Sequence, residues 1–156
     1  MKNIVKIFSF AAALAVAFSC SDLNDYPAFE DSKSFAAFDV TSVSVDENAG
    51  TVSIPVTIAS VDPKQVALAY NTADGTAKKD VNFKLADESA VLAFDGKTRS
   101  MEIVINIVDL AGEYTGDLNF TVSLVKPGNL ELGANSTCTV KINDLDHPLA
   151  SILGGY

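Results

Sequence analysis

The side chains in this sequence that could do chemistry are carboxylates. The chain carries 20 Asp and Glu against 11 Lys and Arg, and its single histidine, His147, sits beside Pro148 near the C-terminus. No Ser, His and Asp set can form around that one imidazole with any specificity, and the sequence holds neither a zinc-ligand spacing nor a phosphate-cradling glycine motif. Two carboxylates could mimic a glycosidase dyad, but that chemistry needs a cleft to hold the sugar between them. Carboxylates crowded together without one repel each other, and a hard cation with six to eight oxygen ligands relieves the repulsion. The chain therefore reads as a non-enzyme whose acids are either solvated or hold a cation. A formal net charge of −9 also argues against nucleic acid, whose phosphates need Lys and Arg to displace counterions.

Whether the acids meet depends on the elements that carry them. The hydrophobic period is two: Val52, Ile54, Val56 and Ile58 alternate with Thr51, Ser53, Pro55 and Thr57. Val66, Leu68 and Tyr70 repeat the pattern, as do Met101, Ile103, Ile105 and Ile107. Strands are expected over 51–59, 66–73, 90–94, 100–108, 118–125 and 137–143, after a broken first strand between 35 and 45. These make an all-β, antiparallel, immunoglobulin-like β-sandwich of about seven strands. Pro55 has no N–H for a ladder, so its strand is expected at an edge or with a bulge. Asp74-Gly75 is expected to form a tight turn in which Gly accepts positive φ. Cys138 shares a face with Val140 and Ile142 and reads as a small buried hydrophobe.

In an antiparallel sandwich, alternate connections lie at the same end. One end then collects Asp46, Glu47, Asp74, Asp80, Asp109, Glu113, Asp117, Asp144 and Asp146 against Lys78 and Lys79. The other end mixes Asp62, Asp95 and Glu131 with Lys64, Lys97 and Lys126. The acids gather at one pole.

Three stretches carry a family likeness: Val45-Asp-Glu-Asn-Ala-Gly-Thr51, Tyr70-Asn-Thr-Ala-Asp-Gly-Thr-Ala77 running on to Asn82-Phe83, and Val140-Lys-Ile-Asn-Asp-Leu-Asp-His147. Over residues 35–147 the chain resembles the Calx-beta family, whose pattern is E-N-x-G, then D-G-T-A followed by D-Y, then I-x-D-x-D. The resemblance implies a calcium site whose ligands fall on Glu47, Asp74, Asp109, Asp144 and Asp146. The chain departs from that pattern. Leu110 and Ala111 interrupt the acidic run after Asp109, Thr115-Gly116 replaces a pair of acids, Leu145 replaces the middle acid of the closing motif, and Asn82-Phe83 stands for Asp-Tyr. The remaining donors suit at most one weakly held, degenerate calcium site, in the range of about 10⁻⁴–10⁻³ M found in extracellular modules.

The termini suggest where such a domain works. Residues 1–19 have a basic start and an apolar run from Ile7 to Phe18, too short for the roughly 20 residues of a membrane span, and read as a signal peptide. Cys20 after Ser19 resembles a bacterial lipobox, which makes Cys20 the lipidated first residue of the mature chain. Removing residues 1–19 takes away Lys2 and Lys6 and no acid, so the net charge goes from −9 to −11. Residues 20–33 read as an acidic tether, with Asp22 and Asp25 similar to export signals of Bacteroides-like surface lipoproteins. The sandwich is expected over 34–147. Residues 148–156 are apolar and read as an added strand or the start of a further domain.

The expected role is a non-catalytic binding or spacer module in the cell envelope, an outer-membrane lipoprotein held to the membrane by lipid on Cys20. Its partner is an unidentified protein or a glycan, with no nucleic acid. The alternative is a cell-surface carbohydrate-binding lipoprotein; the chain has no Trp, which leaves Tyr114 as the obvious loop aromatic.

Overall fold

The computed structural model describes residues 33–146, apart from residue 63, together with residue 148. The expected signal peptide, Cys20, all but the last residue of the tether, His147 and residues 149–156 lie outside the described residues.

Alternating burial organises the described chain into β1 (Phe35–Phe38), β2 (Ser42–Asp46), β3 (Thr51–Ala59), β4 (Gln65–Asp74), β5 (Phe83–Leu85), β6 (Val91–Asp95), β7 (Ser100–Ile107), β8 (Leu118–Leu124), β9 (Glu131–Leu132) and β10 (Thr137–Asn143). They form two five-stranded sheets, ordered β5-β7-β3-β1-β9 and β2-β10-β8-β4-β6. The fold is an all-β sandwich. Along β3, Val52, Ile54, Val56 and Ile58 are buried while Thr51 and Ser53 are exposed, which is the period-two pattern expressed as a core face. Phe38, Ile54, Ile103 and Ile105 meet Leu68, Phe120, Val122, Cys138 and Val140 in one core. Phe83 of β5 and Phe120 of β8 stack across the two sheets, with ring centroids 3.8 Å apart and planes 8° from parallel.

Ten strands replace the expected seven for two reasons. The first strand breaks after Phe38, so that β1 joins one sheet antiparallel to β3 while β2 joins the other, parallel to β10. The other two, β5 and β9, are three and two residues long, too short to show a period in sequence. The pairings β1–β9 and β2–β10 are parallel, so the sandwich is not wholly antiparallel.

Pro55 lies neither on an edge strand nor at a bulge. Its strand, β3, sits between β1 and β7, and Pro55 holds register opposite Glu102. The Pro55 carbonyl accepts from Asp39 N at 3.1 Å, so the missing N–H faces that same side, where β1 has already ended at Phe38. The proline occupies an edge-like gap inside a central strand.

The strand directions bring one set of loops together. β2 and β10 run in parallel to Asp46 and Asn143, and β4 runs the same way, through antiparallel β8, to Asp74. In the facing sheet the end of β7 lies against the start of β3, with Asn106 opposite Thr51, just past Glu47.

Candidate metal centre

Glu47 sits in a 3₁₀ turn, Glu47–Ala49, between β2 and β3, and Gly50 leaves that turn at a φ of 76°. The turn folds its side chain inward to 5% exposure, unusual for a carboxylate. Oε1 accepts a hydrogen bond from Leu145 N at 2.5 Å, which ties the β2–β3 turn to the segment after β10. Asp146, on that segment, accepts at Oδ2 from Gly112 N at 2.5 Å, tying it to the loop after β7. Asp109 opens that loop. One carboxylate oxygen from each of Glu47, Asp109 and Asp146 lies within 4.8 Å of the other two. Burial pushes the Glu47 carboxyl above its ordinary value of 4.5, and the charges of Asp144, Asp146 and Asp109 add to this against the Leu145 hydrogen bond.

Asp144 is beside this cluster but is occupied differently. Its Oδ2 accepts from Thr115 N at 2.6 Å and Gly116 N at 2.5 Å, with the Thr115 hydroxyl at 3.3 Å, and its Oδ1 accepts from Asp146 N at 2.7 Å. Desolvation works to raise Asp144, but the hydrogen bonds from Asp146, Thr115 and Gly116 outweigh it and hold the carboxyl below its ordinary value. Asp117 accepts from Lys141 at 2.6 Å and from Asp144 N at 3.2 Å, which lowers it in turn.

Asp74 stands outside the three-acid cluster. Its Oδ1 accepts from Lys79 N at 3.0 Å and its Oδ2 lies 4.0 Å from Lys78 Nζ, so it closes its own loop. Asn82, buried, accepts at Oδ1 from Lys78 N at 2.9 Å and completes that closure. Gly75 is not at positive φ, against the turn expectation. It is required for room: a Cβ there would overlap the side-chain oxygen of Asn119 and come within 2.5 Å of its backbone oxygen. A cavity of about 10 Å³ between Glu47, Asn82 and Asp144, floored by Leu118 and Ile142, is near the size of one water.

The backbone donors were not foreseen from the residue pattern. Gly112 and Gly116, at φ of 82° and 70°, present N–H groups to Asp146 and Asp144. Two glycines in an otherwise acid-rich loop are the signal that could have revealed them, because residues at positive φ often aim amides into anion-holding nests.

The Calx-beta domain family matches residues 30–146. The chain belongs to the Calx-beta family. Among solved structures it is similar to the apo form of the Calx CBD1 domain, at 23% identity and a TM-score of 0.64, covering 71% of this chain and 96% of that one. It is similar to the calcium binding domain CBD12 of CALX1.1, at 25% identity and a TM-score of 0.65, covering 72% of this chain and 46% of that one. A more distant fold likeness is to EndoBT-3987 of Bacteroides thetaiotamicron, solved with a Man5GlcNAc product, at 12% identity and a TM-score of 0.55, covering 72% and 31%. No curated protein matches the chain.

Calcium is the ion this family implies, and the donor set decides how much of a site this member retains. Both Asp144 oxygens and one Asp74 oxygen serve backbone N–H groups, as does one oxygen each of Glu47 and Asp146. The Glu47, Asp109 and Asp146 group fits one cation and falls short of several, since calcium takes six to eight oxygens.

Proposed function

We propose that this protein is a non-catalytic, lipid-anchored extracytoplasmic module of the cell envelope that binds or spaces other proteins and carries one weak calcium site. The observation that carries the calcium reading is the convergence of Glu47, Asp109 and Asp146 at the junction of three loops. Bound there, calcium would offset both the burial of the Glu47 charge and its repulsion by Asp144, Asp146 and Asp109, and would brace the loops after β2, β7 and β10. Leu145 N and Gly112 N orient two of the three carboxylates, and Asp144 holds Thr115 and Gly116 in place beneath them. The family membership and the calcium-binding relative support this reading, while the anchor rests on Cys20 and the apolar run before it.

Thermal unfolding of residues 21–156, in EDTA and then in rising calcium with magnesium as control, tests it. Calcium at 100 times its Kd adds about 2.7 kcal/mol to the folded state, a shift of several degrees. Asp109→Asn should abolish the rise, whereas Asp74→Asn should lower the midpoint in EDTA and leave the calcium increment in place. A midpoint indifferent to calcium makes the pole a solvated end and leaves the spacer role alone.

A glycan-binding reading rests on Tyr114, 54% exposed in the loop between Gly112 and Thr115. Stacking of a sugar on that ring would change tyrosine fluorescence, and Tyr114→Ala would erase the change.

A further inference from the structure

Among the described residues, the flank of the sandwich opposite β9 and β2 is half covered. There β5 pairs with Ile105–Ile107 of β7, and Ala86 N gives a last hydrogen bond to Val104 O at 3.3 Å before the chain turns away. The Arg99 carbonyl accepts from Ile58 N, which places odd-numbered β7 residues toward β3 and even-numbered ones toward β5. The N–H and C=O groups of Ser100 and Glu102 and the N–H of Val104 therefore point outward, past the end of β5. Across the flank, β6 is the edge of the other sheet. Tyr70 N bonds Ala90 O, so Leu92 and Phe94 face β4 while the backbone groups of Val91 and Ala93 face outward. β6 contains neither Lys nor Pro, the residues that commonly blunt such an edge.

Between the two edges lies a cleft of about 310 Å³, at the lower end of ligand-pocket sizes. Tyr70, Leu92, Met101 and Val104 give it an apolar lining, and Asp87 and Glu102 stand at its rim. Burial, followed by the charges of Asp87 and Glu88, pushes the Tyr70 hydroxyl above its ordinary value, consistent with a negative potential at the rim. Glu88 is 3.9 Å from Lys79, which offsets part of its charge.

We propose that this flank takes an extended segment of a partner protein, which continues the line of β5 by pairing antiparallel with Ser100–Val104. An apolar side chain of the segment enters the cleft, and Lys or Arg on either side of it meets Asp87 and Glu102. Main-chain hydrogen bonds give such strand addition its affinity, and the cleft and rim give it selectivity. The surface shares no residue with the acidic pole, so it stands whether or not calcium binds.

The test uses the full ¹⁵N-labelled chain in a mild nonionic detergent and an acetylated hexapeptide of alternating Lys and Val. Saturable shifts of the Ser100, Glu102 and Val104 amides are expected, with loss of binding when the peptide backbone is N-methylated. Glu102→Lys should weaken the peptide roughly two- to fivefold, the size of one exposed ion pair. The alternating Glu and Val peptide should gain by the same substitution. Shifts confined to the loops around Asp109, equal binding of the N-methylated peptide, or no shift at millimolar peptide would each overturn the proposal. So would slow hydrogen exchange at Glu102 that becomes fast when residues 149–156 are removed, since the edge would then belong to the chain's own tail.

Discussion

Glu47 and Asp144 are neighbours with opposite energetic signs. Glu47 is raised above 4.5, so the folded state takes up its proton before the unfolded chain does as pH falls. Its penalty is fully present above the raised value and is relieved on acidification toward 4.5. Asp144 is depressed below 3.8, so its contribution is full above that value and is lost as pH falls through the folded value. Glu47→Gln removes the penalty while an amide oxygen still accepts from Leu145. The variant should unfold a few degrees above the parent in EDTA at pH 7, show no such gain near pH 4, and lose the calcium increment. Scanning calorimetry at the two pH values, with and without calcium, reads all three. A variant less stable than the parent at pH 7 in EDTA would mean that the Glu47 charge is compensated in the native state.

At the scale of elements, what could be read from sequence divides by length. β3, β4, β7 and β10 are seven to ten residues long and display their period openly; β5 and β9 offer two or three residues, too few for any pattern. Pro55 misled because a proline reports a missing donor without saying how far the neighbouring strand extends. Gly75 misled in a related way, since the residue type is shared by two needs, positive φ and close approach, and only the fold shows that Asn119 passes beside it. These two needs predict different costs. Gly75→Ala forces β8 away from the loop after β4 and should cost about 1–3 kcal/mol, as overpacking does. Gly112→Ala meets open space but keeps a φ of 82°, and should cost about 1–2 kcal/mol of backbone strain. Urea unfolding with unchanged slope measures both. Calcium should recover part of the second loss, because Gly112 N holds Asp146, and little of the first.

For the whole molecule, strand parity was enough to gather the acids at one pole, because direction follows from counting reversals. It could not show that the backbone amides of Gly112, Thr115, Gly116 and Leu145 already answer much of that charge, since every non-proline residue carries an amide N–H and only the two glycines hint at where theirs point. Internal donors thus answer part of the charge at the pole, and the coupling of the proposed cation to the fold can be measured from the far side of the core. Cys138 lies in β10 at 0% exposure, and burial raises its thiol. A buried thiol of that kind is inert until the structure opens. β10 is central to its sheet, with β2 on one side and β8 on the other, and it leads directly into Asp144 and Asp146. Exposing Cys138 should therefore dismantle the pole as well. In a Cys20→Ser variant, with reclosing faster than chemistry, alkylation tracks the open population. A calcium concentration of 100 times Kd should then slow it about 100-fold, the kinetic equivalent of about 2.7 kcal/mol. A thermal midpoint that rises with calcium beside an alkylation rate that does not change would mean that β10 opens locally with the loops still assembled. The pole would then be braced independently of the strand that feeds it.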